Sequence, residues 1–169
     1  DSCLMAFTSG TTGVPKGTLH FHRDLMAAAA CWPPHVLRAV PDDVFIGNGV
    51  SELIDLTLRA LLAADEEVLV PSPDYPLWTA AVNLNRGRAI HYPCRPERGF
   101  VPDPDEIESL ITKRTRAIVV INPNNPTGAV YPRAVLEAIA RIAEKYHLLV
   151  LADEIYDQMT YEGAEFTPM

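Results

Sequence analysis

A mainly parallel β-sheet with helices on both sides, a three-layer α/β sandwich, is the fold class the sequence predicts, and three observations predict it. Two short apolar runs, AIVVI from Ala117 and LLVLA from Leu148, are each too short for a helix and read as strands buried on both faces. The stretch between them has the length and apolar spacing of a helix, which makes the whole a βαβ unit. Each run opens directly into a polar motif, NPNNPTG after the first and DEIY after the second. Ligands of open α/β sheets sit beyond the carboxyl ends of the strands, so Asn124, Asn125, Asp153 and Tyr156 are expected to share one rim.

The other elements follow in chain order. Gly47, Asn48 and Gly49 precede a segment in which Ile54, Leu58, Leu61 and Leu62 fall on one face, predicting a helix over residues 51–63. Its amino terminus presents unpaired N–H groups and the positive end of the dipole, which favour an anion. Glu67 to Val70 reads as a strand, and Asp74 precedes a helix reaching about Asn83. A strand over Arg88 to Tyr92 follows, then a helix over Asp103 to Ile111 and the strand from Arg116 to Ile121. In NPNNPTG two prolines withhold ladder donors and Gly128 permits a positive φ, so the chain must turn there. Pro132 suits the start of the next helix, whose stripe is Val135, Leu136, Ile139, Ile142 and Ala143. Asp153 and Tyr156 would point to opposite faces of a continuing strand, so they converge only if the strand stops near Asp153.

Composition narrows the class of protein. With 169 residues, 48% of them hydrophobic, the chain is long enough for a domain with a real core. No apolar run approaches the length of a membrane span, and no signal peptide is visible. A net charge of −8 argues against a nucleic-acid partner. Cys3, Cys31 and Cys94 are odd in number and lack CxxC spacing, as reduced thiols of a cytoplasmic protein would. His20 and His22 alternate as in a strand, but two histidines without a third ligand make a poor metal site. The chain begins with Asp1 rather than Met, as an internal piece of a longer protein would.

From about residue 45 onward the motifs GNGVSELI, PDYPLWTAAV, NPNNPTG and ADEIYD, in that order, resemble the large domain of fold-type I, PLP-dependent aminotransferases of the alanine aminotransferase-like branch. The resemblance implies a partial domain over residues 45–169 that binds pyridoxal 5′-phosphate and acts on an amino acid and a 2-oxo acid, as a homodimer. It further implies that Asp153 pairs with the pyridine nitrogen, that Asn125 and Tyr156 bond the phenolic oxygen, and that Tyr75 stacks on the ring. Gly49, Val50 and Ser51 would hold the phosphate through backbone N–H groups. Taken singly, each has a plainer reading: an Asp after a strand is usually a cap, and a lone Tyr is usually packed.

Residues 1 to about 44 differ in character. TSGTTGVPKG packs hydroxyls, three glycines and a lysine into a stretch suited to cradling phosphates, without Walker A spacing. It resembles the phosphate-binding loop of adenylate-forming acyl-CoA ligases, and the LHFHRDLMAA and CWPPHVLRAVPDDVF that follow resemble the benzoate and 2-aminobenzoate CoA ligase branch. That resemblance implies ATP-phosphate contacts from Thr8, Ser9, Gly10, Thr11, Thr12, Gly13 and Lys16, although the family's later motifs are absent. The chain therefore reads as a composite, with Cys31 to Pro41 as a proline-rich boundary.

Transamination by such an enzyme needs a lysine that holds the cofactor as a Schiff base. The three lysines are Lys16, Lys113 and Lys145, and the last two precede strands, which puts them at the amino ends of the sheet, about 17 Å from the carboxyl rim. No lysine follows Asp153, where the resemblance places the catalytic one, and the carboxylate-binding arginine that the resemblance implies near the C-terminus is also missing from this chain. Three readings follow: a piece of an aminotransferase completed elsewhere, a non-catalytic remnant, or an ATP-phosphate-binding module from the ligase-like segment.

Overall fold

The computed structural model describes residues 2–8, 16–21, 47–161 and 163–169. The chain divides into two units, Asp1–Phe45 and Ile46–Met169. In the first, β1 (Ser2–Thr8) pairs antiparallel with β2 (Lys16–Phe21), with Thr8 opposite Lys16 and an irregularity between Ser2 and Leu4.

The second unit begins with α1 (Val50–Leu61), followed by β3 (Glu67–Ser72), α2 (Pro76–Leu84) and β4 (Arg88–Pro93). A short 3-10 turn at Pro96–Arg98 leads to α3 (Pro104–Ser109), β5 (Thr115–Ile121), α4 (Arg133–Tyr146) and β6 (Leu149–Asp153). The strands form one sheet in the order β4-β3-β5-β6, and all three pairings are parallel. The chain steps from β3 to β4 on one side and then crosses back to β5 on the other. The strand order thus reverses between β3 and β5, which is where open α/β sheets leave a crevice.

Alternation along the strands builds two cores. Leu69, Ile118 and Val120 face a cluster with Tyr92, Ile107, Tyr131, Leu136 and Ile139, from the α3 and α4 side. Val68, Val70, Ala117, Val119 and Ile121 face the other cluster, with Ile54 and Leu58 of α1 and Trp78, Ala81 and Val82 of α2. The three predicted layers are present. The stripe of α4 is the expected one: Leu136, Ile139, Ile142 and Ala143 are buried and Val135 packs beside them. Its exposed pairs, Arg133–Glu137 and Glu137–Arg141, are 3.8 and 4.0 Å apart and contribute little beside that burial.

Two expectations need correction. β5 is buried along nearly its whole length, but β6 is not buried on both faces: it is an edge among the described strands, with Leu149 53% exposed and only Asp153 fully buried. The helix expected to reach Ile111 ends at Ser109, and the chain turns before Thr112. Asp103 caps it by accepting the N–H of Asp105, and only Ile107 of the helix is buried, so little core holds a longer one.

At the amino end of the sheet, Glu67 is 2% exposed yet fully paired. Its carboxylate accepts hydrogen bonds from the Thr112 hydroxyl and from Arg114 Nε and Nη2, at 3.0 and 2.8 Å for the guanidinium. The Thr112 bond, aided by Arg114 and opposed by burial, holds this carboxyl below its ordinary range. A depressed folded-state pKa gives stability that is complete above the unfolded value and is lost as pH falls through the folded one. Urea unfolding across the acid range, from about pH 6 down to about pH 3, is therefore expected to fall less steeply for Glu67→Gln than for wild type. Parallel curves would contradict this.

Candidate functional site

Parallel pairing sets the end of β5 beside the end of β6, with Ile121 opposite Asp153 and the N–H of Asn122 donating to the Asp153 carbonyl at 3.0 Å. β6 stops at Asp153, and the chain turns over Glu154–Asp157, with Asp157 N–H donating to the Glu154 carbonyl. Asp153 and Tyr156 can therefore converge, as the spacing required. Around this point is a cavity of about 320 Å³, lined by Gly49, Val50, Ser51, Tyr75, Ile121, Asn125, Asp153, Ile155 and Tyr156. All seven residues expected at the cofactor site line it, and its volume is that of a small-molecule pocket.

Four elements supply these groups. Gly49 is the N-cap of α1 with φ 82° and ψ 172°, a conformation essentially restricted to glycine. Among the described residues no side chain caps that helix, while the Glu52 carboxylate in the first turn accepts the N–H of Asn48 at 2.6 Å. The first N–H groups of α1 have no partner within the helix, and Gly49, Val50 and Ser51 at its start line the cavity. Tyr75 is the N-cap of α2, which Pro76 starts, and the Thr79 hydroxyl closes the same turn on Asp74 Oδ2 at 2.7 Å.

The loop after β5 separates its two central asparagines. Asn125 lines the cavity, whereas Asn124, expected on the same rim, is 3% exposed and turned into the loop. Its Oδ1 accepts the N–H and the hydroxyl of Thr127, at 3.2 and 2.8 Å, and its backbone exchanges bonds with Ala129 and Gly128. Asn124 is thus a loop-forming residue, held there because Gly128 takes φ 73° and closes the turn. Asn122 braces the loop from below, accepting the N–H of Tyr131 at 2.8 Å and donating to the Thr167 carbonyl at 3.2 Å.

Asp153 is the most unusual group of the site. It is 4% exposed, and its Oδ2 accepts the indole N–H of Trp78 at 2.9 Å. Its Oδ1 is buried with no hydrogen-bond partner among the described residues. A buried carboxylate oxygen without a donor is costly, and in a residue that lines the cavity it leaves an acceptor for a ligand's donor. Nothing in the sequence alone singles out Trp78, whose one available signal is its position a helical turn beyond Tyr75.

Lys113 lies at the opposite, amino rim, beside a larger opening of about 500 Å³ shared with Arg116, Tyr146 and His147. Lys145 reaches Glu108 Oε1 at 2.6 Å from the last turn of α4. Neither lines the carboxyl-rim cavity. Of the residues expected to contact ATP phosphates, Thr8 ends β1 and Lys16 opens β2, while Ser9, Gly10, Thr11, Thr12 and Gly13 lie outside the described residues. His20 is in β2, and His22 also lies outside them.

Replacing Gly49 by alanine is expected to cost about 1–3 kcal/mol through backbone strain alone, since among the described residues none beyond its two chain neighbours has an atom within 4 Å of the added Cβ. Urea unfolding of the variant checks this, and unchanged stability would show that the turn relaxes freely.

Comparison with known proteins agrees with this geometry. The family model for aminotransferase class I and II matches residues 11–169, and so begins within the segment expected to be ligase-like. The glutamate-pyruvate aminotransferase AlaA of Haemophilus influenzae is 54% identical over 129 residues, covering 76% of this chain and 32% of that protein. The enzyme of the same name from Escherichia coli is 56% identical over 124 residues, covering 73% and 31%. Among solved structures, an aminotransferase from Escherichia coli matches with a TM-score of 0.74 and 48% identity, over 86% of this chain and 36% of its own. The alanine aminotransferase of Pyrococcus furiosus matches with a TM-score of 0.72 and 46% identity, over 76% and 33%. The chain spans about a third of the length of these relatives. With the fold, the carboxyl-rim cavity and these matches in agreement, the chain belongs to the class I and II aminotransferase family.

Proposed function

We propose that this chain carries the ring-facing part of a pyridoxal 5′-phosphate site, and that the protein it belongs to transfers an amino group between an alanine-like amino acid and a 2-oxo acid. The observation that carries the reading is Asp153: a buried carboxylate whose Oδ1 lacks a donor, on the wall of a cavity that also holds a helix amino terminus, an amide and two phenols. The donor set fits the cofactor, which offers a pyridine nitrogen, a phenolic oxygen and a phosphate. Family membership and the names of the relatives support the choice of reaction.

When bound, the cofactor supplies an electron sink. Asp153 Oδ1 would accept a hydrogen bond from the protonated ring nitrogen and hold the proton on that nitrogen. Asn125 and Tyr156 would bond the phenolic oxygen, and Tyr75 would cover a ring face. The N–H groups of Gly49, Val50 and Ser51, at the positive end of the α1 dipole, would hold the phosphate. The lysine that anchors the cofactor and the arginine that receives the substrate carboxylate would come from the rest of the protein, because Lys113 and Lys145 sit at the other rim. A homodimer in the cytoplasm belongs to the same proposal. Support for the dimer is that β6 is an edge strand beside the exposed Ile155, among the described residues.

The test uses 4-deoxypyridoxine 5′-phosphate, which keeps the nitrogen, the phenolic oxygen and the phosphate but has no aldehyde to react with lysines. Calorimetric titration is expected to show saturable binding that Asp153→Ala weakens about tenfold or more. Equal affinity of wild type and Asp153→Ala would contradict the proposal.

A further inference from the structure

We propose that Trp78 is the positioning residue of this site: its indole N–H fixes the Asp153 carboxylate so that Oδ1 alone is left to receive the ring nitrogen. The inference rests on reading the cavity as a cofactor site and goes beyond it in naming what orients the carboxylate. The bond from Trp78 Nε1 to Asp153 Oδ2, at 2.9 Å, is the one side-chain hydrogen bond made to Asp153 among the described residues, and it is buried at both ends.

The indole is itself held in place. Trp78 is 4% exposed and packs in the cluster of Val68, Val70, Ala81, Val82 and Ile121, so the ring has little room to swing. Its backbone N–H is also committed, donating to the Tyr75 carbonyl at 3.0 Å. Because Tyr75 and Trp78 are one turn apart at the start of α2, a single helix start sets both a cavity-lining phenol and the donor to Asp153.

The choice of donor has chemical consequences. An indole N–H donates but neither accepts nor ionises, so it can satisfy one carboxylate oxygen without neutralising the group. A Lys or Arg in its place would pair the charge and weaken the carboxylate as a proton acceptor. With the neutral donor on Oδ2, the negative charge remains available at Oδ1, where a protonated pyridine nitrogen would complete a charge-assisted bond. Without the N–H the carboxylate is free to rotate, and both oxygens compete for the ring.

Two variants separate this role from packing. Trp78→Phe removes the donor and most of the ring, while replacement of Trp78 by benzothienylalanine keeps the bicyclic shape and replaces only the N–H by sulfur. Binding of 4-deoxypyridoxine 5′-phosphate, labelled with nitrogen-15 in its ring, is followed by calorimetry and by nitrogen NMR. Both variants are expected to bind about tenfold more weakly than wild type. Their ring-nitrogen resonance is expected to move toward the unprotonated form at a pH where wild type holds it protonated. If Trp78→Phe fails to fold, the isostere decides.

An unchanged nitrogen resonance in the isostere overturns the proposal, whether or not affinity falls, because a packing role alone leaves the protonation state untouched. Asp153→Ala in parallel tells the two ideas apart. If it binds as wild type does, the cofactor reading itself fails. If it weakens binding while the Trp78 variants behave as wild type, only the positioning role fails.

Discussion

Everything at the carboxyl rim depends on the parallel pairing of β5 with β6. Antiparallel strands would send NPNNPTG and DEIY to opposite ends of the sheet, whereas parallel register sets Ile121 opposite Asp153 and lets Asn122 N–H close the ladder on the Asp153 carbonyl. The crossover helix α4 makes that pairing possible, and four buried side chains along one stripe fasten it to the sheet. The stabilisation of the unit comes from these two apolar layers, since most of its ion pairs are exposed and worth little.

Against that background the polar groups of the rim divide by whether their bonding is complete. Asn122 uses both side-chain atoms to brace the loop, whereas Asn124 commits its oxygen to Thr127 and leaves its buried Nδ2 without a partner among the described residues. Asp153 is the incompletely bonded group that lines the cavity: one oxygen is satisfied by an indole, and the other has no partner among the described residues. A fold that buries a carboxylate and leaves half of it unpaired gives up stability there, and functional sites are where such costs concentrate. The positive φ of Gly49 at an uncapped helix start is a second feature of this kind in the same cavity.

Much of this was legible in the sequence because local rules dominate. Short β-branched runs separated by helix-length stripes identify a parallel sheet, and a polar motif directly after such a run must lie at its carboxyl end. That rule places Asn125, Asp153 and Tyr156 at the rim, and the resemblance adds Tyr75 and Gly49 to Ser51; all seven line the one cavity. What failed were questions that depend on distant partners. Asn124 and Asn125 are the same residue type side by side, and only the closed loop decides which turns inward. The exposure of β6 depends on whether another strand lies beyond it, which its letters do not encode. Trp78 meets Asp153 across 75 residues of sequence, a contact no spacing rule reaches.

Whether the unpaired oxygen of Asp153 is an acceptor for a ring nitrogen is tested most directly by a crystal structure of the chain with 4-deoxypyridoxine 5′-phosphate. The expected complex has the ring nitrogen about 2.7–2.9 Å from Asp153 Oδ1, with the phosphate on the first N–H groups of α1. A ligand seated at the amino rim beside Lys113 and Arg116, or one whose nitrogen faces away from Asp153, would contradict it.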